Sequence, residues 1–420
     1  MLGSPVPDGK VTIMGWVAAV RRHGGVVFVT IRDKEGSVQV VAKRKSCSSD
    51  TFAKATSLKI HSSVAVTGDA KPSARAPSGA EITPDIILVY SEASKMAPFE
   101  PQAKVIKNID TRLEVRPIDL RREALRHIFE ARGLVLRTVR EYFYRTGFIE
   151  INTPKMIASA TEGGAALFPI FYYDRQAFLA QSPQLYKEQL TMSFEKVFEI
   201  APIFRAEPSR TNRHLSEAIS IDMEEAFVDY VDIMNRIEGM ILDVICSVQE
   251  YAAKNPDAAI IPPDTPQSIP RHTYADVISR LQDAGIPAQW GDDLYPQNLR
   301  KADLKGFYFI TDWPMAPKPF YVGPKSDNPD ISESFDLMFG DLEISSGSTR
   351  ITTKEELVSR MEAKGMKTSS FEYHLNSFEF GMPPHAGCGI GLERLMMALT
   401  GTENIRDVTF YPRDADRLTP

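Results

Sequence analysis

The chain has 420 residues, 43% of them hydrophobic and 25% charged, with 25 Gly and 29 Pro scattered rather than repeated, which suits a globular protein of two or three domains. No run approaches the ~20 apolar residues of a membrane span, and the first residues lack the basic-then-apolar profile of a secretory signal. Three distant cysteines (Cys47, Cys246, Cys388) form no CxxC pair and no metal-ligand spacing, so a secreted disulfide scaffold and a zinc enzyme are set aside and a reducing cytoplasm is the expected setting. The net charge of −6 hides an asymmetry. Residues 1–75 hold twelve Lys/Arg against five Asp/Glu, a balance of +7 that leaves −13 for the remainder. A basic N-terminal module on an acidic body is the footprint of a polyanion-binding appendage.

In chain order, Val11–Val20, Val26–Arg32, Ser37–Ala42, Ser63–Gly68 and Ile86–Tyr90 read as short β-branched strands bounded by turn residues. Asp33-Lys-Glu-Gly36 is a tight turn that joins the second strand to the third as a hairpin. Five strands and few helical signals in residues 1–95 predict a small closed barrel of the oligonucleotide-binding (OB) type. The polar, Pro-containing stretch 96–117 reads as a linker or hinge, and residues 118–420 as a second domain. There the period changes. Leu125, Ile128, Phe129, Arg132, Leu136, Val139 and Phe143 recur at helical spacing until Gly147. Phe148–Pro154 reads as a strand. Apolar runs at Phe178–Ala180, Lys196–Ala201, Ile219–Phe227, Phe307–Thr311 and Leu337–Ile344 alternate with loops, and the Pro-rich Ile261–Pro270 marks an excursion. Further helices are predicted over about 229–253 and 354–364, and a Gly-rich run opens a last helix at 391–400. This is α+β: a mainly antiparallel sheet flanked by helices, not a βαβ alternation.

Three segments carry chemistry. Phe204-Arg205-Ala206-Glu207 and Arg213-His214-Leu215-Ser216-Glu217 flank a polar loop between two apolar strands. Arg205 and Arg213 brought side by side can grip phosphate oxygens. Gly387-Cys-Gly-Ile-Gly-Leu-Glu-Arg394 lets backbone approach a ligand ahead of a helix N-terminus, and it lacks the βαβ surroundings of a dinucleotide fingerprint. Asp336, Glu343 and Ser346 offer hard oxygens suited to Mg²⁺ beside a triphosphate, while Arg350 is a fixed cation suited to a carboxylate.

Together, the order Gly147-Phe-Ile-Glu-Ile-Asn-Thr-Pro154, then FRAE…RHL, then GxGxGxxR resembles the three motifs of the class II aminoacyl-tRNA synthetases over nearly the whole chain. Thr161-Glu-Gly-Gly164, Gln181-Ser-Pro-Gln-Leu-Tyr-Lys187, Ser220-Ile-Asp222, Ser334-Phe-Asp336 and the ending Tyr411-Pro-Arg-Asp-Ala-Asp-Arg-Leu-Thr-Pro420 resemble the archaeal/eukaryotic aspartyl branch. The interval from Phe227 to Gly387 looks too short for the extra domain of bacterial members.

The resemblance implies ATP-dependent activation of L-aspartate and its transfer to the 3′-OH of the terminal adenosine of tRNA-Asp, with Mg²⁺, by a homodimer joined through Leu136–Pro154. It implies Arg205 and Arg394 as catalytic residues, on the α-phosphate and over the adenine and γ-phosphate. Ala206, Glu207, Arg213, His214, Leu215, Glu343, Gly391, Leu392 and Glu393 complete the implied ATP site. Glu343 and Ser346 would bind Mg²⁺, with Asp336 near a second ion. Glu162 would receive the substrate ammonium. Gln184, Leu185, Tyr186, Lys187, Arg205, Ser346 and Arg350 would bind aspartate, Lys187 and Arg350 facing its side-chain carboxylate. The barrel would grip the anticodon through Phe28, Gln39 and Glu92.

Some positions depart from the family pattern. Ala218 stands where an aromatic often stacks on adenine, and Thr349 where many relatives have Gln. In members that also charge tRNA-Asn, a Trp two residues after the Gly-Trp pair and a Lys before the last barrel strand mark permissiveness. Here Ala18 and Pro77 stand there, with Arg75 nearby, which leans toward strict charging of tRNA-Asp. Two alternatives compete with aspartate activation. The sister asparagine enzyme should lack a cation such as Lys187 and usually lacks the Arg-Leu-Thr-Pro ending. A non-ligating RNA-binding relic would have lost motif arginines or metal carboxylates, yet Arg205, Glu343 and Arg394 are present.

Overall fold

The computed structural model describes residues 8–74, 76, 79–101, 103, 107–158, 167–209 and 211–419. The chain folds into two compact units, 1–100 and 101–420.

In the first unit, β1 (Gly9–His23), β2 (Val26–Arg32), β3 (Ser37–Lys43), β4 (Ser63–Pro72) and β5 (Ala80–Ser91) close into a barrel in the order β1-β2-β3-β5-β4. Alternation decides which side chains fill it: Val27, Val29 and Ile31 are buried, whereas Phe28 and Thr30 between them face outward. The Asp33–Gly36 turn forms as expected, with Asp33 Oδ1 accepting from the Glu35 and Gly36 amides at 2.8 and 3.0 Å. One element goes beyond the strand pattern. Helix α1 (Ser49–Ser57) starts at Ser48, whose hydroxyl accepts from the Thr51 amide at 3.1 Å. It buries only Thr51 and Ala55, too little for an apolar stripe to be visible in sequence.

The second unit opens with α2 (Ile109–Glu114) and α3 (Arg116–Asp119), inside the stretch that reads as a linker. Their charges are buried and paired, not solvated. Arg112 and Arg116 meet Asp119 at 2.8 and 2.6 Å, and Arg116 also donates to the carbonyls of Arg406, Thr409 and Phe410. Then α4 (Glu123–Arg145) runs to Gly147, whose φ of 86° suits glycine. Only β6 (Ile149–Glu150) of the expected 148–154 strand pairs with the sheet. A three-stranded sheet follows, from β7 (Met156–Ile157), β8 (Pro169–Tyr172) and β9 (Arg175–Leu179).

After α5 (Gln184–Phe194), β10 (Lys196–Phe204) and β11 (Glu217–Ala226) form a long hairpin. Helix α6 (Tyr230–Lys254) begins with an Asp229/Asp232 capping box. Next come β12 (Arg271–Thr273), α7 (Tyr274–Asp283), α8 (Pro296–Leu299), β13 (Phe307–Thr311), β14 (Ser334–Phe339) and β15 (Leu342–Thr349). The run Leu337–Ile344 is thus a hairpin and not one strand, turning at Gly340 with φ 56°. The chain closes with α9 (Lys354–Ala363), α10 (Glu372–Leu375), β16 (His385–Gly391) and α11 (Leu392–Thr400). The Gly-rich run is therefore a strand, and the helix begins only after it.

The large sheet has the order β12-β13-β14-β15-β16-β11-β10-β6, antiparallel except for the outermost pair at each edge. One face buries Phe198, Ile221, Met223, Ile344 and Ile390 against Val139 and Phe143 of α4, Ile241 and Val244 of α6, and Leu395 of α11. The middle of the opposite face is polar. That is where the cavity lies.

Candidate active site

A cavity of about 290 Å³ opens on this polar face. Its floor follows from strand parity. On β11, Ile221 and Met223 point to the core while Ala218, Ser220 and Asp222 line the cavity. On β16, Ala386, Cys388 and Ile390 are core, so Gly387, Gly389 and Gly391 take the cavity parity. A Cβ on Gly389 would lie 3.2 Å from Asp222 Oδ1, and one on Gly387 would collide with the Glu224 carboxylate. The alternating glycines therefore leave room for acids from the neighbouring strand. On β15, Leu337 pairs with Ser345 and Met338 with Glu343, leaving Ile344 as an extra residue. This bulge switches parity, so Glu343 joins Ser346 and Ser348 on the cavity side while Leu342 and Ile344 stay in the core.

At one end of β15 cations crowd together. Arg205, Arg213, His214 and Arg394 all line the cavity. Arg205 makes no side-chain hydrogen bond or ion pair among the described residues, while Arg213 grips Asp341 through two contacts of 3.0 Å. Arg394 donates to the Glu343 carbonyl at 3.0 Å, and burial together with Arg205 and Arg213 holds its pKa below the usual value. Burial and the same three arginines depress the His214 pKa against the pull of Glu207. Like charges gathered closely enough to depress Arg394 and His214 mark a site built for an anion. Beside it, burial and nearby Glu343 push the Asp336 carboxyl up to about 6, against the pull of Lys318 and Ser346.

At the other end, Arg350 clamps Glu224 through 2.7 and 3.1 Å hydrogen bonds, donates to Ser348 Oγ at 2.6 Å and lies over the Tyr321 ring. Lys187, buried in α5, meets Asp222 at 3.0 Å, Glu224 at 3.3 Å and the Cys388 carbonyl at 2.8 Å. Burial would lower its pKa, yet the two carboxylates outweigh that and raise it.

Residues 108–415 match the family model "tRNA synthetases class II (D, K and N)", and 11–89 match "OB-fold nucleic acid binding domain". The chain belongs to the class II tRNA synthetases. Among its relatives, the aspartate–tRNA(Asp/Asn) ligase of Methanothermobacter thermautotrophicus is 45% identical over 99% of this chain and 96% of its own length. That of Archaeoglobus fulgidus is 46% identical over 98% and 96%. Among solved structures, asparaginyl-tRNA synthetase from Pyrococcus horikoshii with asparaginyl-adenylate superposes with TM-score 0.91 at 32% identity, covering 98% and 97% of the two chains. The aspartyl enzyme of Entamoeba histolytica does so with TM-score 0.84 at 30% identity, covering 98% and 90%.

In this class II synthetase the cavity gathers Gln184, Arg205, Arg213, His214, Leu215, Glu343, Ser346, Arg350, Gly391, Glu393 and Arg394 from the residues singled out in sequence. Others stand behind or beside it. Lys187 is only 1% exposed and does not line the cavity, nor does Asp336. Leu185 and Leu392 are fully buried in apolar cores, and Tyr186 packs near Tyr373. Ala206 and exposed Glu207 lie off the lining. Glu393 is pinned by Arg132 at 2.7 Å and the Ile219 amide at 3.0 Å. Glu162, Pro77 and Arg75 lie outside the described residues. In the barrel, Phe28 and Gln39 sit on the outer surface of β2 and β3, where Gln39 donates to Glu81 at 3.0 Å, and exposed Glu92 pairs with Lys59 at 2.6 Å.

Sequence patterns gave no role to Lys318, Glu224, Glu188, His374 or His385, and marked Asp222 only as part of the Ser220-Ile-Asp222 string. Lys318 lines the cavity from an irregular loop, 4.4 Å over Trp313, and no periodicity marks such a loop. Asp222 and Glu224 alternate with core residues on β11, so strand parity alone could have flagged them. Among the described residues no helix is long and apolar enough to cross a membrane.

Proposed function

We propose that the chain activates L-aspartate with ATP and passes the aspartyl group to the 3′-OH of the terminal adenosine of tRNA-Asp. One observation carries this reading. The arginine cluster and the Arg350–Glu224 network lie toward opposite ends of β15 and both reach one cavity. The cavity between them suits a substrate with phosphates at one end and a carboxylate at the other. Relatives named for aspartate share 42–46% of the sequence over nearly all of its length, which favours the aspartyl reading.

The chemistry is an in-line displacement. The aspartate carboxylate oxygen forms a bond to the α-phosphorus while the bond to pyrophosphate breaks. Arg205, with no competing partner among the described residues, neutralises charge building on the α-phosphate. Arg213, His214 and Arg394 hold the distal phosphates, with Leu215, Gly391 and Glu393 lining the nucleotide site and Ala206, Glu207 and Leu392 supporting it from beside or behind. Gln184 and Arg350 hold aspartate. Lys187, behind them, fixes Asp222 and Glu224 and so the orientation of Arg350. Leu185 and Tyr186 position that helix.

Mg²⁺ fits the donor set. Among the described residues no cluster of three or more His, Cys, Asp or Glu forms a self-sufficient cage. Glu343, Ser346 and Asp336 instead offer hard oxygens beside a phosphate site, which is how Mg²⁺ is usually held. Burial and Glu343 raise the Asp336 carboxyl in spite of Lys318 at 3.8 Å, so a further cation beside the two acids would be favoured. When bound, Mg²⁺ would draw charge from the phosphate oxygens.

The barrel serves as the anticodon grip through Phe28, Gln39 and Glu92. Exposed Tyr144, Ile149 and Met156, at and after the end of α4, support a homodimer through residues 136–154, and the setting is cytoplasmic. A second reading of the acceptor, tRNA-Asn as well as tRNA-Asp, is favoured by the relatives' names.

Pyrophosphate exchange with each amino acid tests the proposal. Aspartate should support it and asparagine should not. The reverse preference would make this an asparagine enzyme, and no exchange with any amino acid would make it a non-ligating relic.

A further inference from the structure

Behind Gln184 lies a polar group that the reaction above does not use. Glu188, one helical turn along α5, is fully buried, as are His374 and His385. Its Oε1 accepts from Gln184 Nε2 at 2.6 Å. Its Oε2 faces His374 Nε2 at 3.4 Å and His385 Nε2 at 3.6 Å. The tautomers follow from the other ring nitrogens. His385 Nδ1 lies 2.8 Å from the Pro383 carbonyl, an acceptor, so that nitrogen donates. Burial would lower the His385 pKa, but Glu188 outweighs it and raises it, and a proton on Nε2 avoids setting a lone pair against the Glu188 carboxylate 3.6 Å away. His374 Nδ1 lies 3.2 Å from Gln189 Nε2, a donor, so Nδ1 accepts and the proton sits on Nε2. Both Nε2 atoms thus turn toward one buried carboxylate oxygen at ion-pair distance, without a close hydrogen bond. The same contacts hold Glu188 well below the usual carboxylate range, overcoming burial.

An ionised carboxylate only accepts, so the Gln184 amide has no choice of orientation. Its NH₂ must face Glu188, which leaves Oε1 toward Arg350 Nη2 (3.5 Å) on the cavity wall. We infer that Glu188, clamped by His374 and His385, is a positioning residue that fixes the Gln184 amide with its oxygen toward the substrate, to accept from the α-ammonium of the bound amino acid. This rests on the aspartate-activation reading.

The isosteric variant E188Q inverts this polarity. The two histidine N–H groups would claim the new amide oxygen, turning its NH₂ toward Gln184. Gln184 would then accept with Oε1 and present NH₂ to the cavity. A lost hydrogen bond to a charged group amounts to roughly 10- to 100-fold.

The test compares wild type and E188Q in aspartate-dependent pyrophosphate exchange, with succinate, which lacks the ammonium, as a competitive inhibitor. E188Q should raise the KM for aspartate about tenfold or more, leave the KM for ATP within about twofold, and leave the succinate inhibition constant within about twofold. An unchanged aspartate KM overturns the inference. So does parallel weakening of aspartate and succinate, the mark of a merely disturbed pocket. If wild type itself shows no exchange with aspartate, the functional reading has failed instead. Should E188Q not fold, H374N removes one clamp while keeping the carboxylate. It should shift aspartate but not succinate, by less, and equal shifts in both overturn the inference in the same way.

Discussion

The cavity and the outer surface of the barrel use charge in opposite ways. In the cavity, Arg350 and Glu224 are 3% and 0% exposed, and Lys187 is sealed against two acids. Removing one partner from such a pair costs about 3–5 kcal/mol, because the other charge is left buried. On the barrel, Lys10 with Asp85 and Lys59 with Glu92 are each about half exposed or more. Such pairs are worth about 0–1 kcal/mol and weaken with salt. A reacting phosphate must be met by groups already in place, since any reorganisation adds to the barrier. A polyanion backbone is held by mobile surface cations that exchange counterions for phosphates. One chain thus carries a preorganised site and an adaptable one.

The largest effect should come from the cavity. Arg205→Ala is expected to slow pyrophosphate exchange by at least ~10²-fold, the scale for one transition-state charge contact. Its melting temperature should not move, because the guanidinium has no partner among the described residues to lose. Near-normal exchange in the folded variant would remove the class II mechanism. Next, raising salt from 50 to 200 mM should cut aminoacylation by about tenfold or more while changing exchange by less than about threefold, since the paired groups of the cavity are screened little. Deleting residues 1–100 should abolish that salt sensitivity by removing most aminoacylation and sparing exchange. Equal salt dependence of both activities would collapse the contrast.

A smaller effect concerns Asp336, whose carboxyl burial raises to about 6. A folded-state value above the ordinary one means that stability is full at low pH and lost as pH rises through about 6. At pH 7–8 without Mg²⁺, D336N should therefore melt a few degrees higher than wild type, and the gap should close near pH 4. Mg²⁺ with ATP should stabilise wild type more than D336N. A pH-independent gap would show that titration of this carboxyl is not its source.

How much of this was legible in sequence depended on whether a residue's role is local. Val26–Arg32 and Phe307–Thr311 form strands with the expected bounds because alternation or continuous burial marks them directly. Helix α1 escaped because two buried residues make no stripe. The Gly-rich run was placed before a helix, yet it is a central strand whose glycines yield to the acids of β11, a relation between strands that no single segment displays. The bulge at Ile344 likewise depends on the pairing with β14. Motif residues such as Arg205 and Arg394 were visible as types at a spacing. That Lys187 backs the cavity instead of lining it was not, because its burial is set by the two carboxylates of β11 and the Cys388 carbonyl of β16. The His374–Glu188–His385 cluster joins residues 186 and 197 positions apart and leaves no local mark.

The smallest expected effect lies on the adaptable side. The anticodons of tRNA-Asp and tRNA-Asn differ at their last base, C against U, so the barrel must reject or admit the change. Ala18 falls at a register shift in β1 and offers no aromatic face for stacking. Pro77, outside the described residues, supplies neither a long cation nor a backbone N–H. Both features reduce contacts that would hold either base, which favours tRNA-Asp. Against this, relatives about 45% identical bear names covering both acceptors, and Arg75 could take over from the missing lysine. One mismatched base contact costs about 1–3 kcal/mol, and with no aromatic or cationic contact at these two positions the low end of that range applies, so tRNA-Asp transcript should be preferred about fivefold in kcat/KM. Installing the permissive pair, Ala18→Trp with Pro77→Lys, should erase the preference without altering pyrophosphate exchange. Equal charging of both transcripts by wild type would show that the barrel is permissive without either residue.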